Sequence, residues 1–232
     1  MKSLIREHKA NYIERMEGFR RPTIRDYVRA RALDCLTMFQ RWPIKNASWN
    51  TPRVQFLLLH HVFEDEIAQF NSLLQQLQKK FRFISYTEAW RRILKNEIDQ
   101  PYLTFSFDDG SMSCKNAAAE LAKFNGKACF FVCPDFVEAT SFNNIKNFSK
   151  KRLNHGPVRF MNWDDLMDLI DQGHEIGGHT VSHPDLSKIS ENRVEDEVAK
   201  SFEILAAAIG QPKHFAWPYG RFTNITQFGI EA

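Results

Sequence analysis

Residues 103–110 read LTFSFDDG, a β-prone apolar run that ends on two adjacent aspartates and a glycine. A strand apolar on both faces belongs in a sheet covered on both sides, and the doubled carboxylate marks the point where it emerges. On either side the chain alternates short apolar strands with helical patterns. VQFLLLHHV (54–62), FRFISY (81–86), KACFFVC (127–133), HEIGGH (174–179) and KHFAWPYG (213–220) read as strands. Helices are expected near 66–80, 87–96, 113–124, 162–171 and 190–209. Such alternation predicts an α/β domain built on a parallel sheet or barrel.

Several boundaries have a mechanism. Asn162 can cap a helix that carries Asp164 and Asp165 in its first turn, where the helix dipole favours negative charge, and Gly173 fits its C-terminal stop. Ser190 precedes a stripe of Val194, Val198, Leu205 and Ile209 that Gly210 and Pro212 close. Residues 134–160 show no clear period and are expected to be irregular. Their basic stretch NFSKKRLNHGPVR is either a solvated face or a basic lip for an anionic substrate.

The 232 residues, 43% hydrophobic and 25% charged, suit one soluble domain with a sizeable core and some additional sequence. The division expected is a basic helical N-terminal extension over 1–50 and a catalytic domain over 51–232. The formal net charge is +3, and its surplus is local: residues 1–50 hold 11 Lys+Arg against 5 Asp+Glu, the remainder 20 against 23. No nucleic-acid partner is expected. The leader has no uninterrupted apolar stretch of a secretion signal, and no run approaches the roughly 20 apolar residues of a membrane span, so a cytoplasmic location is expected. Between Pro22 and Pro43 an amphipathic, arginine-rich helix either packs on the main domain or lies on an anionic membrane surface. Cys35, Cys114, Cys129 and Cys133 lack the paired spacing of a zinc knuckle and read as free thiols.

In a parallel sheet or barrel the loops after the strands converge on one mouth, which is where LTFSFDDG ends. Two neighbouring half-buried carboxylates repel each other, and a divalent cation removes the difficulty: one aspartate binds it and the other stays ionised beside it. HEIGGHTVSH supplies further ligands, because His179 and His183, four residues apart, would share a face on a helical turn. FAWPYG (215–220), again at a strand end, would form a wall beside the metal.

Together these stretches resemble the polysaccharide deacetylases, the family 4 carbohydrate esterases. The resemblance runs from Val54 to the end of the chain: TFSFDDG is similar to the family's TFDDG, HTVSH to its H-T/S-x-x-H, FAWPYG to its third motif, and LLLHHV to the first strand of a bacterial branch. It implies a distorted (β/α) barrel, incomplete at its C-terminus, holding one divalent ion, most often zinc. Asp109, His179 and His183 would be the metal ligands and Asp108 the general base. Tyr219 would offer its backbone N–H to the oxyanion, and its ring, with Trp217, Pro218 and Arg221, would line the substrate site. The implied reaction removes an N-acetyl group from an amino sugar or glycan.

The sequence departs from the pattern in two places. The family's general acid is a histidine in a Leu-x-His segment downstream of the third motif, and the chain ends at Ala232 before such a segment. His60 and His61, at the end of the first predicted strand, are the internal substitutes, with His61 taken as the catalytic candidate; their other reading is as core or supporting histidines. Ala216 stands where many relatives have arginine, and Arg221 is the cation expected to compensate. A barrel lacking strands would leave open edges for either the leader or a partner chain to cover, so a homodimer or marginal solubility is expected. Two other functions share the same residues: hydrolysis of a non-sugar amide or ureide, and glycan binding without turnover.

Overall fold

The computed structural model describes residues 50–153 and 156–231. All but the last residue of the N-terminal extension, including its amphipathic helix and Cys35, lies outside the described residues.

Five parallel strands form one open sheet: β1 (Arg53–Leu59), β2 (Arg82–Phe83), β3 (Pro101–Phe107), β4 (Ala128–Val132) and β5 (Glu175–Gly178). The order is β1-β3-β4-β5, with β3 at its heart. Along one edge β3 pairs with β1 from Arg53↔Pro101 to Leu59↔Phe107. β2 pairs with β3 at Tyr102 and Leu103, and β4 pairs with it from Phe105 to Phe107. β3 is buried from Tyr102 to Phe107 and β4 along its whole length, as the two-sided apolar runs require. Phe107 stacks on Phe130 across the strand pair at 5.2 Å, and Phe105 receives the edge of Phe83 at 5.0 Å.

Helices α1 (Ile67–Leu77), α2 (Tyr86–Leu94), α3 (Cys114–Ala122), α5 (Trp163–Asp171) and α6 (Glu191–Ile209) fall where the apolar periods predict them. At α5 the Asn162 side chain accepts from the Asp165 N–H at 2.7 Å, while the Asp165 carboxylate accepts from the Asn162 N–H at 2.9 Å. Gly173 and Gly210 follow their helices at φ 82° and 87°, a region that disfavours residues with a Cβ. Cys114, Cys129 and Cys133 are buried free thiols. Among the described residues no helix is long and apolar enough to cross a membrane.

Three expectations need correction. The segment 134–160 is not wholly irregular: it contains helix α4 (Phe142–Phe148), capped by Ser141, and one π-helical turn, Ser149–Leu153. Phe148 and Ile145 anchor it in a small core with Phe63, Val158 and Phe160. Two turns are too few to give a readable period, although Phe142, Ile145 and Phe148 recur every third residue. The predicted strand 213–220 is reduced to a single bridge, Phe215 to Gly178. The chain turns away directly afterwards, because Pro218 has no N–H to donate and Tyr219 and Gly220 take φ of 67° and 63°. The HTVSH stretch is not helical either, and a bend brings its two imidazoles together. A short helix, α7 (Gln227–Glu231), closes the described chain.

Candidate metal centre

Every strand runs the same way, so the residues following β1, β3, β4 and β5 gather at one edge of the sheet. Asp108 is tied to β1 by its N–H, which donates to the Leu59 carbonyl at 3.1 Å. Asp109 and Gly110 then turn the chain at φ 72° and 70°. A Cβ on Gly110 would lie 3.1 Å from the Val132 side chain, so the turn is packed closely on the end of β4. A non-glycine residue in this region is uncommon, and Asp is among the few that tolerate it.

The glycine pair before His179 has an equally local cause. A Cβ on Gly177 would sit 2.5 Å from a ring carbon of Phe131, and one on Gly178 would sit 2.9 Å from the Ser201 hydroxyl. Only glycine lets β5 come this close to β4 and to α6. His179 then continues the sheet: its N–H donates to the Val132 carbonyl at 3.1 Å, and its carbonyl accepts from the Cys133 thiol. Beyond it Thr180 and His183 adopt φ of 63° and 56°, and the His183 N–H donates to the Thr180 hydroxyl at 2.9 Å. For a β-branched threonine this backbone is strained, which marks a conformation held by its surroundings.

The result is a buried cluster of Asp109, His179 and His183, whose ligand atoms all lie within 4.8 Å of one another. His183 Nε2 is 3.2 Å and His179 Nε2 3.5 Å from Asp109 Oδ1, with exposures of 5%, 1% and 4% for the three side chains. Despite these distances Asp109 Oδ1 makes no hydrogen bond. The His179 ring contacts the Ala216 carbonyl through Nδ1 at 2.7 Å. A carbonyl only accepts, so Nδ1 carries the proton and a neutral ring turns the lone pair of Nε2 toward the carboxylate. Lone pairs converging on one point without a hydrogen bond are the donor set a cation needs. In a tetrahedral site with bonds of about 2.0–2.1 Å the ligand atoms stand roughly 3.3 Å apart, close to the spacing of Asp109 from either imidazole. The residues therefore fit a divalent ion with positions left open.

The charges support this division of labour. Burial pushes the Asp109 carboxyl upward, but the facing imidazoles of His179 and His183 outweigh it and hold the group well below the usual carboxylate range. At Asp108 burial prevails: its carboxyl is raised, Asp109 adds to the rise, and His179 and His60 offset only part of it. Asp108 Oδ1 is buried and accepts no hydrogen bond. The adjacent acids are thus unlike, one a committed anion and the other poised to take a proton.

Tyr219 meets His183 edge-on with ring centroids 4.9 Å apart, and the Arg152 charge acts on its phenol. Phe148 meets His183 from the side at 6.1 Å. Phe148 also lines a neighbouring cleft of about 750 Å³, whose walls come from residues 135–152 and Ser182 and include none of Asp108, Asp109, His179, His183 and Tyr219. The irregular stretch of the sequence thus reaches the cluster through Phe148.

Of the residues expected at the site, Asp108, Asp109, His179, His183 and Tyr219 come together. The contacts found for the others are with different residues. His61 turns toward the start of α3, where its Nδ1 is 3.0 Å from the hydroxyls of both Ser111 and Ser113. Trp217 is half-buried against the small cluster of Leu186, Val194 and Ile225. Pro218 is buried, and Arg221 is exposed at the head of the turn Phe222–Asn224. Among the described residues, neither arginine nor lysine is among the charges that act on Asp108. Sequence reasoning missed Thr180 and Ser182, whose parts depend on the bend between the two histidines, and took Phe148 and Arg152 only as members of the stretch NFSKKRLNHGPVR.

A family model described as polysaccharide deacetylase matches residues 95–231, a span containing all five converging residues. The peptidoglycan-N-acetylglucosamine deacetylase of Bacillus cereus is 27% identical over 139 residues, covering 59% of this chain and 42% of its own. The uncharacterized protein YlxY of Bacillus subtilis is 30% identical over 133 residues, covering 56% and 35%. The match thus spans less than half the length of these curated relatives. Among solved structures, the Streptococcus pyogenes deacetylase PplD in complex with acetate superposes with a TM-score of 0.64 at 21% identity, covering 78% of this chain and 79% of that one. IcaB from Ammonifex degensii gives 0.62 at 20% identity, covering 78% of each. At such identities the likeness shows a shared fold.

Proposed function

The chain belongs to the polysaccharide deacetylase family, and from that premise we propose that it removes N-acetyl groups from an amino sugar or glycan by hydrolysis. The observation that carries the reading is the convergence of Asp109, His179 and His183 within 4.8 Å beside the second, buried carboxylate of Asp108. Asp109 and the two imidazoles would hold one divalent ion, with zinc the ion proposed for this ligand set. When bound, such an ion supplies Lewis acidity, acidifying water and polarising the amide carbonyl.

The chain's own residues supply the rest. Asp108, held above the usual carboxylate range by burial, is the base that takes a proton from the attacking water. The Tyr219 backbone N–H would donate to the carbonyl oxygen as negative charge gathers there, an interaction whose loss typically costs about 2.7–4 kcal/mol of barrier. Its ring, edge-on to His183, would line the sugar site. His61 is the proposed source of the proton for the leaving amine; with Nδ1 engaged by Ser111 and Ser113, exchange would run through Nε2.

Zinc-loaded protein is expected to release acetate from N-acetylated chitooligosaccharides. Absence of acetate from these and from simple N-acetyl sugars, with hydrolysis of a cyclic ureide instead, would replace this reading by an amidase on the same site.

A further inference from the structure

Glu197 lies in α6, outside every stretch that forms the metal centre, and is 2% exposed. Its buried neighbours along the helix are Val194, Ser201 and Leu205. A carboxylate in such a stripe is costly unless its oxygens are well bonded, so its partners reveal what keeps it there. Oε2 accepts from the Ser182 N–H at 2.8 Å, and Oε1 accepts from the Ser182 hydroxyl at 2.7 Å. Arg193, one turn earlier, donates to Oε1 through Nη2 at 2.7 Å and Nε at 3.1 Å. The backbone carbonyl of the same Glu197 accepts from the Val181 N–H at 3.1 Å.

Val181 and Ser182 are consecutive residues of the bend that separates His179 from His183. Glu197 therefore grips both of their N–H groups, one through its main chain and one through its side chain. The bend contains two non-glycine residues at positive φ, Thr180 and His183, and would relax without an external hold. One end is already fixed, because His179 is bonded to Val132 and Ala216. The other end, which carries His183, is held by the Thr180 hydroxyl and by this grip on Ser182. A carboxylate suits the task because it is acceptor-only and can face an N–H and an O–H together while Arg193 balances its charge.

We infer that Glu197 is a positioning residue for the metal centre: it sets the backbone of the 179–183 bend and thereby the placing of His183 against Asp109. The inference rests on the reading of Asp109, His179 and His183 as metal ligands. Groups that orient ligands in this indirect way typically contribute 10–100-fold to metal affinity.

The test compares zinc affinity of the full chain, by competition with a chromophoric chelator, in the parent, Glu197→Gln and Ser182→Ala. Melting of the chelator-treated proteins is followed in parallel. Glu197→Gln turns one acceptor into a donor facing Ser182, and zinc binding is expected to weaken by about 10–100-fold. Ser182→Ala removes one of the two Ser182 bonds and should weaken binding in the same direction by less. The visible absorption of the cobalt(II)-substituted protein should change in Glu197→Gln, since it reports ligand geometry. Unchanged zinc affinity and cobalt spectrum in both variants, whatever happens to the melting temperature, would overturn the inference and leave Glu197 a purely structural group. If Glu197→Gln does not fold, Ser182→Ala decides alone. A parent that binds no zinc would instead overturn the ligand assignment itself.

Discussion

The Nδ1–H of His179 donates to the carbonyl of Ala216 at 2.7 Å, joining two stretches 37 residues apart. The residue at 216 acts here through its main chain, so alanine serves, whereas the imidazole cannot be exchanged. With its tautomer fixed by that bond, His179 offers Nε2 to the ion. His179→Ala removes a ligand from a three-ligand set, and bound zinc is expected to fall from about one equivalent to near none. Metal analysis after desalting, with circular dichroism to confirm folding, checks this; equal zinc in both proteins would discredit the assignment.

Asp108 and Asp109 are adjacent in sequence and opposite in chemistry, so Asp108→Asn should separate base from ligand. Zinc content is expected to stay constant while acetate release falls by about 10²–10⁴-fold, the usual contribution of a positioned base. The variant should also be more stable at neutral pH without metal. The folded pKa of Asp108 is raised by burial, so its contribution is fully present below the unfolded value and is lost as pH rises through the folded one. At neutral pH the buried carboxyl is therefore a cost, which the amide removes. A lower melting temperature for chelator-treated Asp108→Asn would contradict this electrostatic picture.

The sheet and the ligands were legible for different reasons. Apolar runs such as TFSF and ACFFV read correctly because burial on both faces leaves a continuous signal, and the five long helices because each runs for at least nine residues. Asp109, His179 and His183 stood out because charged or polar residues at strand ends are otherwise unfavourable. The 179–183 bend was misread as a helical turn because four-residue spacing also arises from two positive-φ residues, and nothing in HTVSH reveals its backbone. Glu197 left a faint trace as a charged residue three positions after Val194. Its partner Ser182 could be found only in three dimensions, and Arg152 reaches Tyr219 across 67 residues of chain that no local pattern connects.

Gly177 tests how tightly β5 must approach β4. A methyl group there would meet two Phe131 ring carbons at 2.5 and 2.6 Å and the His214 carbonyl oxygen at 2.9 Å. Phe131 is fully buried, so the ring has nowhere to go without moving its neighbours. Gly177→Ala is expected to lower unfolding stability by about 1–3 kcal/mol, the range for overpacking a dense interior. Urea denaturation measures it, and a loss under about 0.5 kcal/mol, the level of an ordinary surface change, would show that the strands can part.

His174 predicts how stability responds to acid independently of the metal centre. The ring is buried, stands edge-on to Phe130 at 5.4 Å, and its Nδ1 accepts the Ala128 N–H at 3.1 Å, so it is held as the neutral form. Burial, with some help from Lys127, depresses its pKa to about 4 from an ordinary value of 6.5. Between those values the unfolded chain binds a proton that the folded chain refuses, so stability falls as pH drops through this window and levels off below it. A difference of this size corresponds to roughly 3 kcal/mol. His174→Asn keeps an acceptor for Ala128 and cannot take the proton. With chelator present throughout, so that the other histidines titrate alike in both proteins, the parent should lose roughly 2–3 kcal/mol more than the variant between pH 7 and pH 4 in urea denaturation. Parallel curves would mean that the folded chain takes up the His174 proton as readily as the unfolded one, and that its bond to Ala128 is not made as found.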